Sequence, residues 1–115
     1  MKTLATINVD DTVTFSEVDQ ENEYKFLSAA VGGYIQAVPL QDPVGELTMW
    51  LNEEGKLDGL PENIAATWLW GRSYGATDVM VGNVVLSGGV DENGETLGLS
   101  DDQVAALQSM FRLDK

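Results

Sequence analysis

An α+β domain, a mostly antiparallel sheet of about four to five strands packed with about three helices, is the fold class this sequence predicts. Alternating apolar and polar residues rich in β-branched types recur as short stretches, for example at residues 4–9 and 12–16. Apolar residues at helical spacing fill other stretches, most clearly at residues 104–111. At 115 residues and 43% hydrophobic content, the chain has the length and apolar material for one core. No repeat, low-complexity tract or linker divides it, so residues 1–115 read as one acidic α+β domain.

The first two strands flank an acidic turn at Asp10-Asp11, a pair that lacks the glycine of a tight hairpin. Residues 19–31 then change period. Tyr24, Leu27 and Val31 fall at i, i+3 and i+7, with Phe26 and Ala30 beside them and Glu21 and Glu23 in the first turn, which predicts a helix. Gly32-Gly33 ends it, because a left-handed residue is needed there. Residues 34–38 leave as a strand that Pro39 is expected to close. Residues 41–45 read as a loop and residues 46–51 as the next strand, which runs into the turn Asn52-Glu53-Glu54-Gly55-Lys56.

Residues 57–61 form an irregular connection, and residues 62–72 read as a second helix with Ile64, Trp68, Ala65 and Leu69 facing inward. Residues 78–87 are strand-like, with Gly82 marking a bulge or a close backbone approach, and Gly88-Gly89 ends the strand. The final helix opens on a capping box, Ser100-Asp101-Asp102-Gln103, and continues with the stripe Val104, Leu107, Met110 and Phe111. Arg112 and Lys115 lie toward its negative end.

Charge narrows the function classes. Nineteen acidic residues against six basic ones give a formal charge of -13, and the sequence holds no histidine and no cysteine. Duplex phosphates are bound by clusters of Lys and Arg, so nucleic acid is not expected as a direct partner. No apolar run approaches a membrane span, and the alternation in the first nine residues is unlike a signal peptide, so no membrane association and a cytoplasmic location are expected. Without histidine or cysteine the commonest bases, thiol nucleophiles and transition-metal ligands are missing. The expectation is a protein that is not an enzyme and needs no cofactor.

The carboxylate pairs Asp10-Asp11, Glu53-Glu54, Asp91-Glu92 and Asp101-Asp102 sit at turns or a helix start, where turn and cap chemistry accounts for them. Asp91, Asn93 and Glu95 have the alternate spacing with which a calcium loop begins. The required glycine falls at Thr96, however, and the closing position is Asp102, so a turn at Asn93-Gly94 is favoured and no metal site is assigned. Trp68, Trp70, Arg72 and Tyr74 form an aromatic and cationic group suited to stacking a flat ligand and pairing with its anion. Trp68 and Trp70 are two apart and cannot both face one side of a helix, so one of them reaches solvent, a subunit or a ligand. The plainer alternative puts Trp68 in the core and Trp70 at the helix edge.

Four stretches occur in order: Val31-Gly32-Gly33-Tyr34-Ile35-Gln36-Ala37-Val38; Asn52-Glu53-Glu54-Gly55-Lys56-Leu57 with Gly59-Leu60-Pro61 and Asn63; Ala66-Thr67; and Val81-Gly82-Asn83-Val84-Val85-Leu86. Together they resemble a family of small, usually acidic proteins of uncharacterised function common in bacteriophages and bacterial mobile elements. That resemblance implies a phage or plasmid origin and a bacterial host cytoplasm, and it transfers no catalytic residue. It also gives weight to the segments around Gly32-Gly33-Tyr34, Asn52-Glu53-Glu54-Gly55 and Pro61-Glu62-Asn63. Glu53, Glu54, Asp58, Glu62 and Asn63 are accordingly the expected partner-binding residues. The same segments also have structural uses, as helix end, turn and helix start.

Two functions follow as expectations. The first is a non-enzymatic phage or mobile-element accessory protein that binds a basic surface of a host protein, as a counter-defence inhibitor or nucleic-acid mimic. The alternative is an oligomeric protein that binds or sequesters a nucleotide-like ligand in a pocket of Tyr34, Trp68, Trp70, Arg72 and Tyr74, with a homo-oligomer as its natural setting.

Overall fold

A computed structural model describes residues 1–41 and 45–111. Asp42, Pro43 and Val44 of the predicted loop, and Arg112 and Lys115 at the predicted basic helix end, lie outside the described residues. The elements are β1 (Lys2–Ile7), β2 (Val13–Val18), a 3₁₀ turn (Gln20–Asn22), α1 (Glu23–Val31), β3 (Ile35–Leu40), β4 (Leu47–Asn52), α2 (Ile64–Tyr74), β5 (Val84–Gly88) and α3 (Asp101–Phe111). Five strands form one sheet in the order β2-β1-β5-β4-β3, every neighbouring pair antiparallel. The fold is α+β.

The sheet is covered on both faces, which is why its central strands are nearly continuous apolar runs. In β5, Val84 and Leu86 face a core shared with Ala66 and Leu69 of α2 and Leu107 of α3. Val85 faces the other way, toward Leu4 and toward Leu27 and Val31 of α1. Each such aliphatic side chain contributes about 1.5–3 kcal/mol when removed from water. The polar positions inside are paired: the Trp50 indole N–H donates to Ser87 Oγ at 2.9 Å.

Local chemistry accounts for the element ends. The β1–β2 turn lacks glycine, and Asp11 takes the left-handed conformation in its place at φ 69°. Asn8 ties the turn by donating to Thr12 Oγ1 at 3.1 Å. Asp19 caps the 3₁₀ turn through the Asn22 N–H at 3.0 Å, so the predicted helix start at residue 19 divides into that turn and α1. Gly32 is left-handed at φ 81°, and its N–H bonds to the Ser28 carbonyl, as a helix C-terminus requires. The capping box of α3 is reciprocal. The Gln103 N–H donates to Ser100 Oγ at 3.1 Å, and the Ser100 N–H donates to Gln103 Oε1 at 3.0 Å.

Three expectations are corrected. Pro39 does not end its strand, because β3 is an edge strand. The Glu53 N–H donates to the Tyr34 carbonyl, which places the even residues of β3 toward β4 and leaves Pro39 pointing outward, where its missing N–H breaks no ladder bond. The last strand begins at Val84 and not at residue 78. Residues 79–82 run beside the start of α2 instead, held by the Asn63 N–H to the Met80 carbonyl and the Gly82 N–H to the Pro61 carbonyl. In α2 the inward residues are Ala66 and Leu69, with Ala65 partly covered, while Ile64 and Trp68 point outward at 64% and 51% exposure.

Candidate functional site

Because all neighbouring strands are antiparallel, β1 and β4 end where β2, β3 and β5 begin. The β1–β2 turn with Asp10 and Asp11, the α1–β3 turn with Tyr34, and the β4–α2 link with Glu53, Glu54, Asp58 and Glu62 all leave from that end, and all seven residues are exposed. A second exposed group, Glu46, Glu92, Glu95, Asp101 and Asp102, surrounds the opposite end. Among the described residues, these eleven exposed carboxylates thus lie at the two ends of the sheet.

The segments singled out in sequence meet at the first end, and their small and amide residues hold it together. Asn52 is buried. Its amide donates to the Val31 carbonyl at 3.2 Å and its Oδ1 accepts from the Glu54 N–H at 2.8 Å, while a side chain at Gly33 would collide with it. Gly82 is left-handed at φ 74° and packs against the Leu60 side chain, ahead of β5 and not within a strand as expected. Asn63, an expected partner contact, is fully buried and has no surface to offer. Its Oδ1 caps α2 through the Ala66 N–H at 3.0 Å, and its Nδ2 donates to the carbonyls of Ile7 at 3.0 Å and Gly82 at 2.9 Å. Of the expected partner-binding residues, Glu53, Glu54, Asp58 and Glu62 remain on the surface.

The aromatic group is divided by the helix that carries it. Trp68 and Arg72, four apart, lie together, with the Arg72 guanidinium carbon 5.6 Å from the Trp68 ring centroid. Trp70 and Tyr74 form a second pair, ring centroids 4.4 Å apart, and Trp70 packs against the main core with its indole N–H on Thr77 Oγ1 at 2.9 Å. The Tyr74 hydroxyl donates to the Pro39 carbonyl. Trp70 is therefore the covered tryptophan and Trp68 the exposed one, the reverse of the plainer expectation. Tyr34 is 68% exposed and stands beside Glu53 at the acidic end, apart from both pairs.

Trp68 forms a ridge between two depressions. On one side is a groove of ≈ 580 Å³ lined by Asp11, Ile64, Ala65, Trp68, Met110 and Phe111, between the start of α2 and the end of α3. On the other is a cleft of ≈ 840 Å³ lined by Lys56, Thr67, Trp68, Arg72, Thr77 and Asp78 among others. Lys56 forms an ion pair with Asp78. That hydrogen bond, and then the one from the Val79 N–H, holds the Asp78 carboxyl below its ordinary pKa. Asp10 is lowered likewise, first by the Thr12 hydroxyl at 2.6 Å and then by the Thr12 N–H. Ile64 and Trp68, spaced i and i+4, were the sequence signal for the groove, but the same spacing also fits a core face.

In the Asp91–Glu95 turn, Asp91 Oδ1 accepts the N–H groups of Asn93 at 2.8 Å and Glu95 at 3.0 Å, so backbone donors occupy the oxygen that would begin a cation loop. Among the described residues, no three acidic side chains converge as a metal site requires, and no helix is long and apolar enough to cross a membrane.

The chain belongs to the family described as Domain of unknown function (DUF3846), which it matches over residues 1–112. No curated protein and no solved structure matches it.

Proposed function

We propose that this chain is a non-enzymatic accessory protein of a bacteriophage or mobile element, and that it acts in the host cytoplasm by docking a basic surface of a host protein. The observation that carries the reading is the junction of the acidic end with the α2–α3 groove. Asp11 lines the groove together with Ile64, Trp68, Met110 and Phe111, and Glu62 lies two residues before Ile64. An exposed tryptophan in an apolar depression is the usual anchor of a protein interface. Carboxylates at its rim speed encounter with a cationic partner and select its orientation. A counter-defence inhibitor or a nucleic-acid mimic has these needs, because its target surface is built to meet phosphates. The lack of histidine and cysteine supports binding over turnover.

Immobilised protein exposed to bacterial lysate tests this. Capture of a basic protein should fall steeply between about 50 and 500 mM NaCl. It should also be lost in Trp68→Ala and in a variant with Asp10, Asp11, Glu53, Glu54, Asp58 and Glu62 changed to their amides. Capture that ignores salt and survives both changes contradicts the reading.

A further inference from the structure

We propose that β3 is a self-association edge: two copies of this chain pair antiparallel through Ile35 and Ala37 about a two-fold axis at Gln36, joining their sheets into one. Backbone accounting is the first argument. With the even residues of β3 bonded to β4, the odd residues turn their N–H and carbonyl groups to the outer edge. That edge is closed at both ends. The Gly33 N–H and carbonyl are taken by Ser28, and the Pro39 carbonyl is taken by the Tyr74 hydroxyl while Pro39 has no N–H. Between them, the N–H and carbonyl groups of Ile35 and Ala37 have no partner among the described residues.

Symmetry selects the occupant. An antiparallel neighbour bonds such an edge in reciprocal pairs, and a second copy centred on Gln36 sets its Ala37 against Ile35 and its Ile35 against Ala37. Every open group is then used. Sliding the axis one residue either way sets an open residue against Gly33 or Pro39, both already committed, so the edge favours a single register. The side chains agree with it. Val38 and Leu40 join the core beneath α2, so the even side chains of this strand, and Tyr34 by continued alternation, lie on that face. Tyr34, 68% exposed, then stands opposite the half-buried Val38 of the second copy, an aromatic and β-branched cross-strand pair that occurs twice about the axis.

Charge is the third argument. Residues 34–40 contain no charged side chain in a chain of formal charge -13, whereas β2 at the opposite edge carries Glu17 and is bracketed by Asp11 and Asp19. Charged side chains are a common guard against strand addition, and β3 has none between its closed ends. The like charge on the rest of each copy opposes association, so added salt strengthens this pairing. Salt weakens docking of a basic partner at the acidic end, so the two readings are tested separately.

The test is sedimentation velocity of the full chain from about 5 to 500 μM, in about 50 and 500 mM NaCl. A monomer–dimer equilibrium should appear, with the dimer roughly tenfold tighter at the higher salt. Ala37→Pro removes an outward N–H that the β3–β4 ladder does not use, as Pro39 already does, so it should weaken the dimer roughly tenfold or more and leave the thermal midpoint of the dilute protein unchanged. Gln36→Glu sets two carboxylates face to face on the axis and should weaken the dimer roughly tenfold at low salt. The chain has no cysteine, so single-cysteine variants read the register directly. Gln36→Cys should oxidise to a disulfide-linked dimer, because facing residues at a non-hydrogen-bonded pair have Cβ atoms about 4.5–5.5 Å apart. Thr14→Cys, an exposed position on β2, should stay unlinked. A chain still monomeric at the highest concentration and salt, a dimer that neither Ala37→Pro nor Gln36→Glu weakens, or linking of Thr14→Cys as fast as Gln36→Cys would each overturn the proposal.

Discussion

The side-chain amide of Asn52 occupies the space in which Gly33 would carry a side chain: a Cβ at Gly33 would lie 2.9 Å from Asn52 Nδ2. Asn52 cannot yield easily, because it is buried and bonded at both ends of its amide, to Val31 and to Glu54. Gly33→Ala should therefore cost about 1–3 kcal/mol in urea unfolding, through strain or a broken buried hydrogen bond. Gly32→Ala, in open space but at φ 81°, should cost about 1 kcal/mol. An equal and negligible effect of both would contradict the clamp.

Asn63 joins β1, α2 and the segment before β5 by three hydrogen bonds at a fully buried position. Asn63→Ala should destabilise by about 2–4 kcal/mol, since it removes a helix cap and strands two buried carbonyls. Asn63→Asp keeps the cap acceptor but cannot donate to Ile7 or Gly82, so it should not restore stability at pH 7. Chemical denaturation of the three proteins separates these cases.

Tyr74 closes one end of the outer edge of β3. Pro39 has no N–H to offer an added strand, and its carbonyl accepts the Tyr74 hydroxyl. Tyr74→Phe keeps the ring against Trp70 and removes only that bond. The expected loss is about 0.5–1 kcal/mol, because the site is partly exposed. A loss above about 2 kcal/mol would mean that the hydroxyl has a larger role than edge closure.

Asp10 gives a pH-dependent signature. Its folded pKa is depressed, so the stability it contributes is present above the unfolded value of about 3.9 and is lost as pH falls through the folded value. Thr12→Val removes the largest cause without changing charge. The Asp10 carboxyl resonance should then titrate at higher pH. The stability difference between the two proteins should be present above about pH 4 and shrink below it. An unchanged Asp10 titration would refute the assignment.

The architecture was legible where a local signal had one physical meaning. The capping box at Ser100 and Gln103 and the helix end at Gly32 are each set by neighbouring residues, and each is found. Long-range placement was not legible. Pro39 reads as a strand terminator until β3 is known to be an edge strand. Ile64 and Trp68 have the spacing of an inward face, and only the packing of Ala66 and Leu69 on the sheet shows that they point outward. The site divided for the same reason. Asn63 reads as a surface polar residue, because sequence does not show that Ile7 and Gly82 bring carbonyls to it. The pairing of Lys56 with Asp78 spans twenty-two positions and left no local trace.

The most direct measurement is the affinity of the captured basic partner for the purified chain as a function of salt, with Trp68→Ala and the six-site amide variant beside it. Log affinity should fall steeply against log salt for the native chain and be nearly flat for the amide variant, while Trp68→Ala should lower affinity at every salt concentration and keep the native slope. A native slope near zero, or a Trp68→Ala affinity equal to native, would contradict docking at the acidic end beside Trp68.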